Sequence, residues 1–268
     1  MIKSNYHTHS TFCDGRDSIE SIVKCAINKG FKYLGFSSHS YIEGDDSWTL
    51  KKDSLNDYIS EVLRVKEKYK TQISVFLGIE QDTLSNRYDY AFDYIIGSMH
   101  SIKKDGKIYS IDKDKESFKY LLEEVYLNDF DSLCKDYFLS LKEIYAKTKA
   151  DVIGHFDLIT KFIEVLDLTL PKNYLEYAEN SIINIIKDVK IFEINLGAMA
   201  SGYKTIPYPK KEILALIKKH GGKIMINTDC HNKDNLDFCL DCAVKLAKEV
   251  GFSKQVIITD DGFISVDL

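Results

Sequence analysis

The chain has 268 residues, 44% hydrophobic and 29% charged, with 36 basic residues against 41 acidic ones for a formal net charge of −5. No apolar run approaches the roughly 18 residues of a membrane span, and an acidic balance without clustered Lys and Arg argues against an extended nucleic-acid surface. What remains is a soluble globular protein with an ample core, expected as one domain over residues 1–268 with a small molecule as its partner.

The first residues, MIKSNYHTHS, carry one Lys and no apolar stretch before a cleavage site, so a cytoplasmic protein is expected. Strand-like runs then alternate with amphipathic helical stretches, the rhythm of strand-helix units around a parallel sheet or barrel, and seven or eight such units are predicted. The strands are expected at Ile2–Tyr6, Tyr33–Ser37, Ser74–Ile79, Tyr94–Ser98, Asp151–Ile153, Lys190–Ile194, Lys223–Asn227 and Gln255–Thr259. Between them, SIESIVKCAINKG opens after Asp17 and closes at Gly30, and SLNDYISEVLRVKEKYK forms a second helix. The stretch from Lys115 to Lys149 is helical by period but long, and a break is expected near Asn128–Asp131. Six scattered cysteines suit reduced thiols, and the Cys239–Cys242 pair, set in a helical pattern with no second C-x-x-C, is expected to pack in the core.

Six of the seven histidines fall at or just past a strand's C-terminal end, while His220 lies at a helix end. In a strand-helix barrel the loops after the strands open on one face, so these residues should converge. In order they are His7 and His9, His39, Glu80, His100, His155, then Asp229 and His231. H-x-H and D-x-H on extended chain put both side chains on the same side, within reach of one metal ion. A single histidine is more often an ordinary hydrogen-bonded residue. Six of them converging with carboxylates would leave crowded, desolvated polar groups that divalent cations would satisfy.

The segments HTHSTFCDG (7–15), GFSSH (35–39), GIE (78–80), IGSMHSI (96–102), GHFDLI (154–159), FEIN (192–195) and NTDCH (227–231) resemble, in order, the polymerase and histidinol phosphatase (PHP) family. The resemblance implies a distorted seven-stranded β/α barrel, similar to a TIM barrel, holding three divalent ions of zinc, manganese or iron. Metal one would take His7, His9 and Asp229, with Glu80 bridging to metal two, which would also take His100 and His155. Asp14, His39 and His231 would hold the third. Three such ions against three carboxylates would leave the site at about +3, a focus for a dianionic phosphate. The resemblance also implies hydrolysis of a small phosphate monoester, histidinol phosphate, in histidine biosynthesis.

In that chemistry Glu80 would be the bridging carboxylate, and a metal-bound water, Asp229 or His231 could protonate the leaving group, a choice the sequence leaves open. Arg16, just after the Asp14–Gly15 loop, and Lys161 and Lys204 on active-face loops are candidate phosphate contacts. Asp17, Glu43, Trp48 and Tyr203 are candidates for the substrate's ammonium and imidazole groups. The rival readings are another branch of the family, a nuclease or protein phosphatase, and a metal-binding protein without catalysis.

Overall fold

The computed structural model describes residues 2–43 and 47–268. In chain order its strands are β1 (Ser4–Asn5), β2 (Tyr33–Phe36), β3 (Ser74–Asp82), β4 (Tyr94–Ser98), β5 (Ser101–Lys104), β6 (Lys107–Ser110), β7 (Val152–Ile153), β8 (Ile191–Asn195), β9 (Lys223–Asn227), β10 (Lys254–Thr259) and β11 (Gly262–Asp267). Seven of them form one parallel sheet in the order β1-β2-β3-β4-β7-β8-β9. Just past the ends of β1 and β9 the sheet nearly closes on itself: His9 N–H donates to the Cys230 carbonyl at 2.9 Å, and Cys230 N–H to that of His7 at 3.0 Å. Asparagine side chains complete the seam, with Tyr6 N–H donating to Asn227 Oδ1 and Thr228 N–H to Asn5 Oδ1. This borrowing explains why β1 is regular only over Ser4–Asn5, shorter than the expected Ile2–Tyr6.

Side chains alternate across each strand, so every strand contributes to two environments. On β3, Val75, Leu77 and Ile79 join the large core beneath the helices, while Phe76 joins a separate cluster with Tyr6, Tyr94, Ile96, Val152 and Met225. Glu80 and Asp82 continue the register of Phe76 toward the C-terminal end. The barrel interior is therefore layered, apolar at its N-terminal end and polar where the strands finish.

The helices bury apolar stripes against the outer face of this barrel. Helix Ile19–Asn28 turns Ile19, Ile22, Val23 and Ala26 inward, and its N-terminus is capped by the Ser18 hydroxyl, which accepts from Ser21 N–H. Helix Leu55–Tyr69 buries Tyr58, Ile59, Val62, Val65 and Tyr69. The long helical stretch breaks at Leu127 and Asn128, both with positive φ, as its length requires, and again before helix Ile144–Thr148. Among the described residues no helix is long and apolar enough to cross a membrane.

Three features depart from the sequence expectations. The eighth strand exists as β10, but it pairs antiparallel with β11 and stays outside the parallel sheet. Val256, Ile257 and Ile258 pack on the apolar end of the barrel, which this hairpin plugs. A second hairpin, β5–β6, turns at Asp105 and Gly106, both with positive φ, the backbone that an Asp-Gly pair accepts. Cys239 and Cys242 form a disulfide instead of packing as free thiols. Cys239 adopts a left-handed backbone ahead of helix Leu240–Val250, and the two Cα atoms span its first turn at 5.2 Å, within disulfide reach. The other four cysteines are free, with Cys134 and Cys230 buried.

The plug is fastened by Tyr6, whose hydroxyl donates to the Ile258 carbonyl at 2.7 Å and accepts from Ile258 N–H at 2.9 Å. Replacing Tyr6 with Phe leaves both backbone groups buried without that partner, so urea unfolding should show a loss of about 1–3 kcal/mol. An unchanged midpoint would mean that the Tyr6 hydroxyl adds nothing to stability.

Candidate metal centre

The six strand-end histidines do converge. Glu80, at the end of β3, stands at the middle of the group, its side chain fully buried. Its Oε2 faces His7 Nε2 at 3.2 Å, His9 Nε2 at 3.6 Å and His39 Nδ1 at 2.7 Å. Its Oε1 faces His155 Nε2 at 3.0 Å and His100 Nε2 at 3.4 Å. Asp229 Oδ1 lies 3.5 Å from His7 Nε2 and 3.2 Å from His9 Nε2. Asp14 completes the rim, 3.6 Å from His39 and 3.2 Å from His231.

Among the described residues, four overlapping groups have all their ligand atoms within 4.8 Å of one another: His7, His9 and Glu80; His7, His155 and Asp229; His39, Glu80 and His100; and His9, Asp14, His39 and His231. Within them, His7 Nε2, His9 Nε2, His39 Nδ1, Glu80 Oε2 and Asp229 Oδ1 are buried and crowd one another at 2.7–3.6 Å without a well-aligned hydrogen bond. Desolvated donors and acceptors left unpaired at such density are costly in a folded protein. A set of imidazole nitrogens and carboxylate oxygens facing inward is what a cluster of divalent cations satisfies, so the residues present fit metal ions.

A second tier of side chains aims the first. Glu193, on the inner face of β8, accepts from His7 Nδ1 at 2.8 Å, His155 N–H at 3.0 Å, Asn195 Nδ2 at 2.8 Å and Asn227 Nδ2 at 2.9 Å. Asp82 Oδ2 pairs with His100 Nδ1 at 2.9 Å and accepts from its backbone N–H. Such bonds fix the tautomer so that the Nε2 lone pair of His7 and of His100 points into the cluster. His231 Nδ1 bonds the Asp229 carbonyl, and Asn195 Nδ2 holds Asp229 Oδ2, leaving Oδ1 inward. Asp229 itself has a left-handed backbone. Gly197 makes room for it, since a Cβ there would come within 2.8 Å of the Asp229 Cβ.

The charges are strongly coupled. Burial alone would push the Glu80 carboxyl up, yet the imidazoles of His39, His7 and His100 hold it well below the usual carboxylate range. Asp229 is held well down against burial by His7, His9 and His231. Conversely, burial would depress His7 and His100, but the surrounding carboxylates raise both well above the usual histidine value. His9 is pushed up to about 10 in spite of burial, by Cys13, Asp229 and Asp14. His39 moves down, because burial and the neighbouring His9 outweigh its carboxylates.

A cavity opens over this cluster, and Lys161, Trp48 and Tyr208 line it together with Asp112. Trp48 sets its ring edge-on to His39 and His100, at 4.7 and 5.1 Å between centroids. The remaining substrate candidates are not brought into it. Arg16 is exposed beside the cluster, and its backbone N–H donates to the His231 carbonyl. Asp17 is engaged by the backbone and ammonium of Lys233, so it ties two loops together. Lys204 is buried behind the cavity, bonded to the Thr160 hydroxyl at 2.9 Å, and Tyr203 packs edge-on against Phe162. Glu43 sits in an exposed turn, and His220, as expected, lies apart, paired with Glu179.

Sequence reasoning did not single out Glu193, Asp82 or Asp112. The signal for the first two was present: a carboxylate in register with the inward face of a strand, at Glu193 between Phe192 and Ile194 and at Asp82 two residues after Glu80.

Comparison with known proteins gives the family and the fold. The histidinol-phosphatase of Lactococcus lactis is 27% identical over 281 residues, covering 94% of this chain and 93% of its own. That of Bacillus subtilis is 23% identical over 89% of this chain and 97% of its own. The crystal structure of the L. lactis histidinol phosphate phosphatase, which contains zinc, L-histidinol and phosphate, superposes with a TM-score of 0.71 at 21% identity, covering 98% of both chains, and so shares the fold. The PHP domain profile matches residues 5–196, from β1 through β8. The chain belongs to the PHP domain family.

Proposed function

We propose that this protein is a metal-dependent phosphomonoesterase that hydrolyses L-histidinol phosphate to L-histidinol and phosphate. The observation that carries the reading is the cluster of inward-facing imidazoles and carboxylates around Glu80, with unpaired buried ligand atoms beneath an open cavity. Near-full-length similarity to histidinol-phosphatases supports the choice of substrate.

His7, His9, Asp229 and Glu80 would hold one ion, Glu80, His100 and His155 a second, and Asp14, His39 and His231 a third. The distances allow this division, although His39 faces Glu80 at 2.7 Å as well as Asp14 at 3.6 Å and so stands between two groups. Bound divalent ions would supply Lewis acidity toward the phosphoryl oxygens and acidify a water for attack on phosphorus. Glu80 neutralises and orients the centre, Glu193 and Asp82 keep His7 and His100 in the ligating tautomer, and Lys161 brings a positive charge to the cavity wall. Asp229, held as a carboxylate, and His231 both line the cavity, where either would relay a proton from water to the leaving alkoxide.

Uptake of metal should release protons. In chelated protein His9 titrates near 10, and His7 and His100 are raised well above their usual value, so they are protonated at pH 7.5. A ligating imidazole must be neutral. Calorimetric titration of zinc in buffers of different ionisation enthalpy should show net proton release, and affinity should fall as pH falls. The same raised values stabilise the chelated fold most fully below about pH 6.5, a contribution lost as pH rises through the folded values. Metal binding without proton release would contradict this electrostatic picture.

The substrate assignment is tested with a panel. Manganese- or zinc-loaded protein should give a kcat/KM for L-histidinol phosphate at least about 100-fold above that for a nucleoside monophosphate or a phosphotyrosine peptide. A preference for either of those would move the protein to another branch of the family's chemistry.

A further inference from the structure

L-histidinol phosphate carries an ammonium group on the carbon next to the ester methylene, so the group that reads it must stand in the same cavity as the metal cluster. A carboxylate not spent on metal is the strongest partner for such a cation. Three carboxylates line the cavity among the described residues, Asp14, Asp112 and Asp229. Asp14 and Asp229 belong to the ligand groups, and Asp112 does not.

Asp112 follows β6, and its side chain is 19% exposed. Lys161 fastens it, donating from Nζ to the Asp112 carbonyl at 2.7 Å and standing 3.4 Å from its Oδ2. The Ser110 hydroxyl contacts Oδ1 at 3.5 Å. The carboxylate lies close enough to Lys161, His100 and His155 for their charges to hold its proton affinity down against burial. The anion is thus fixed beside the cluster, paired loosely to a lysine on the same wall, with Trp48 across from His39 and His100.

On the reading of the substrate given above, we propose that Asp112 is the specificity-determining carboxylate that binds the ammonium of the substrate. Lys161 and Asp112 present adjacent positive and negative charges, matching the phosphate and ammonium that the substrate carries at similarly short separation. Trp48 offers an aromatic face and edge for the imidazole end. A carboxylate held in place by a lysine costs little reorganisation when it meets a cation, and a phosphate ester without the ammonium gains nothing from it.

The test compares Asp112→Asn with the unaltered protein, both zinc-loaded, on L-histidinol phosphate and on its des-amino analogue, 3-(imidazol-4-yl)propyl phosphate. The substitution should lower kcat/KM for L-histidinol phosphate by about 10- to 100-fold, chiefly through KM, and change that for the analogue by less than about threefold. An equal loss on both esters would assign Asp112 a structural role through Lys161 and overturn the proposal, as would no loss on either. If the unaltered protein fails to prefer L-histidinol phosphate over phenyl phosphate, the substrate assignment itself falls. If it prefers histidinol phosphate and the analogue equally, only the role of Asp112 does.

Discussion

Glu80→Gln protein should lose turnover of L-histidinol phosphate by about 10³-fold or more, at saturating metal, while remaining folded. Five imidazole nitrogens approach its two carboxylate oxygens within 3.6 Å, so five of the six clustered histidines meet at this side chain. Glutamine keeps the shape and removes the charge, and its amide hydrogens would point at nitrogens required as lone-pair donors. Metal content, read by mass spectrometry on the dialysed variant, should drop along with activity. Near-normal turnover in a metal-replete variant would exclude Glu80 as the bridge.

Glu193→Gln should weaken metal binding by about 10- to 100-fold, although Glu193 is itself outside the ligand set. Its two oxygens accept four hydrogen bonds, and they hold His7, the His155 backbone, Asn195 and Asn227 together at the barrel's polar end. An amide nitrogen in place of one oxygen sets donor against donor at two of these contacts, so a loss of about 1–3 kcal/mol in stability should accompany the weaker binding. Competition with a fluorescent chelator measures the affinity. A variant that binds metal as tightly as the unaltered protein would show that the aim of His7 is set elsewhere.

Much of this site is legible in the sequence because barrel topology makes one rule sufficient. Side chains just past the C-terminal end of parallel strands meet, so His7, His9, His39, Glu80, His100, His155, Asp229 and His231 could be grouped from strand ends alone. The same rule cannot separate ligands from the residues that aim them. Glu193 and Asp82 lie on the same inward faces as the ligands but one layer away or to one side, and that depth is set by strand stagger, which sequence does not encode locally. Asp17 shows the converse error: its position beside the Asp14–Gly15 loop suggested substrate, while Lys233, more than two hundred residues later, is what meets it.

The hairpins were missed for a different reason. Asp105-Gly106 is a strong turn signal, but β5 and β6 are short and only partly apolar, and their partner in function is the loop that follows, which delivers Asp112 to the cavity. For β10, an apolar run after the last helix fits an eighth barrel strand equally well by periodicity. What decides against it is long-range: the barrel already closes through His9 and Cys230, and Tyr6 uses both its hydrogen bonds on Ile258. The disulfide lay in a C-x-x-C spacing that a continuous helix would have left as packing, and the left-handed turn at Cys239 ends that continuity.

The central claim is tested most directly by phosphate release from L-histidinol phosphate, measured on the purified protein with added zinc or manganese and again after chelator treatment. The account predicts rapid release that chelation abolishes and fresh metal restores. Turnover that survives complete metal removal, or metal-loaded protein that leaves L-histidinol phosphate intact, would contradict it.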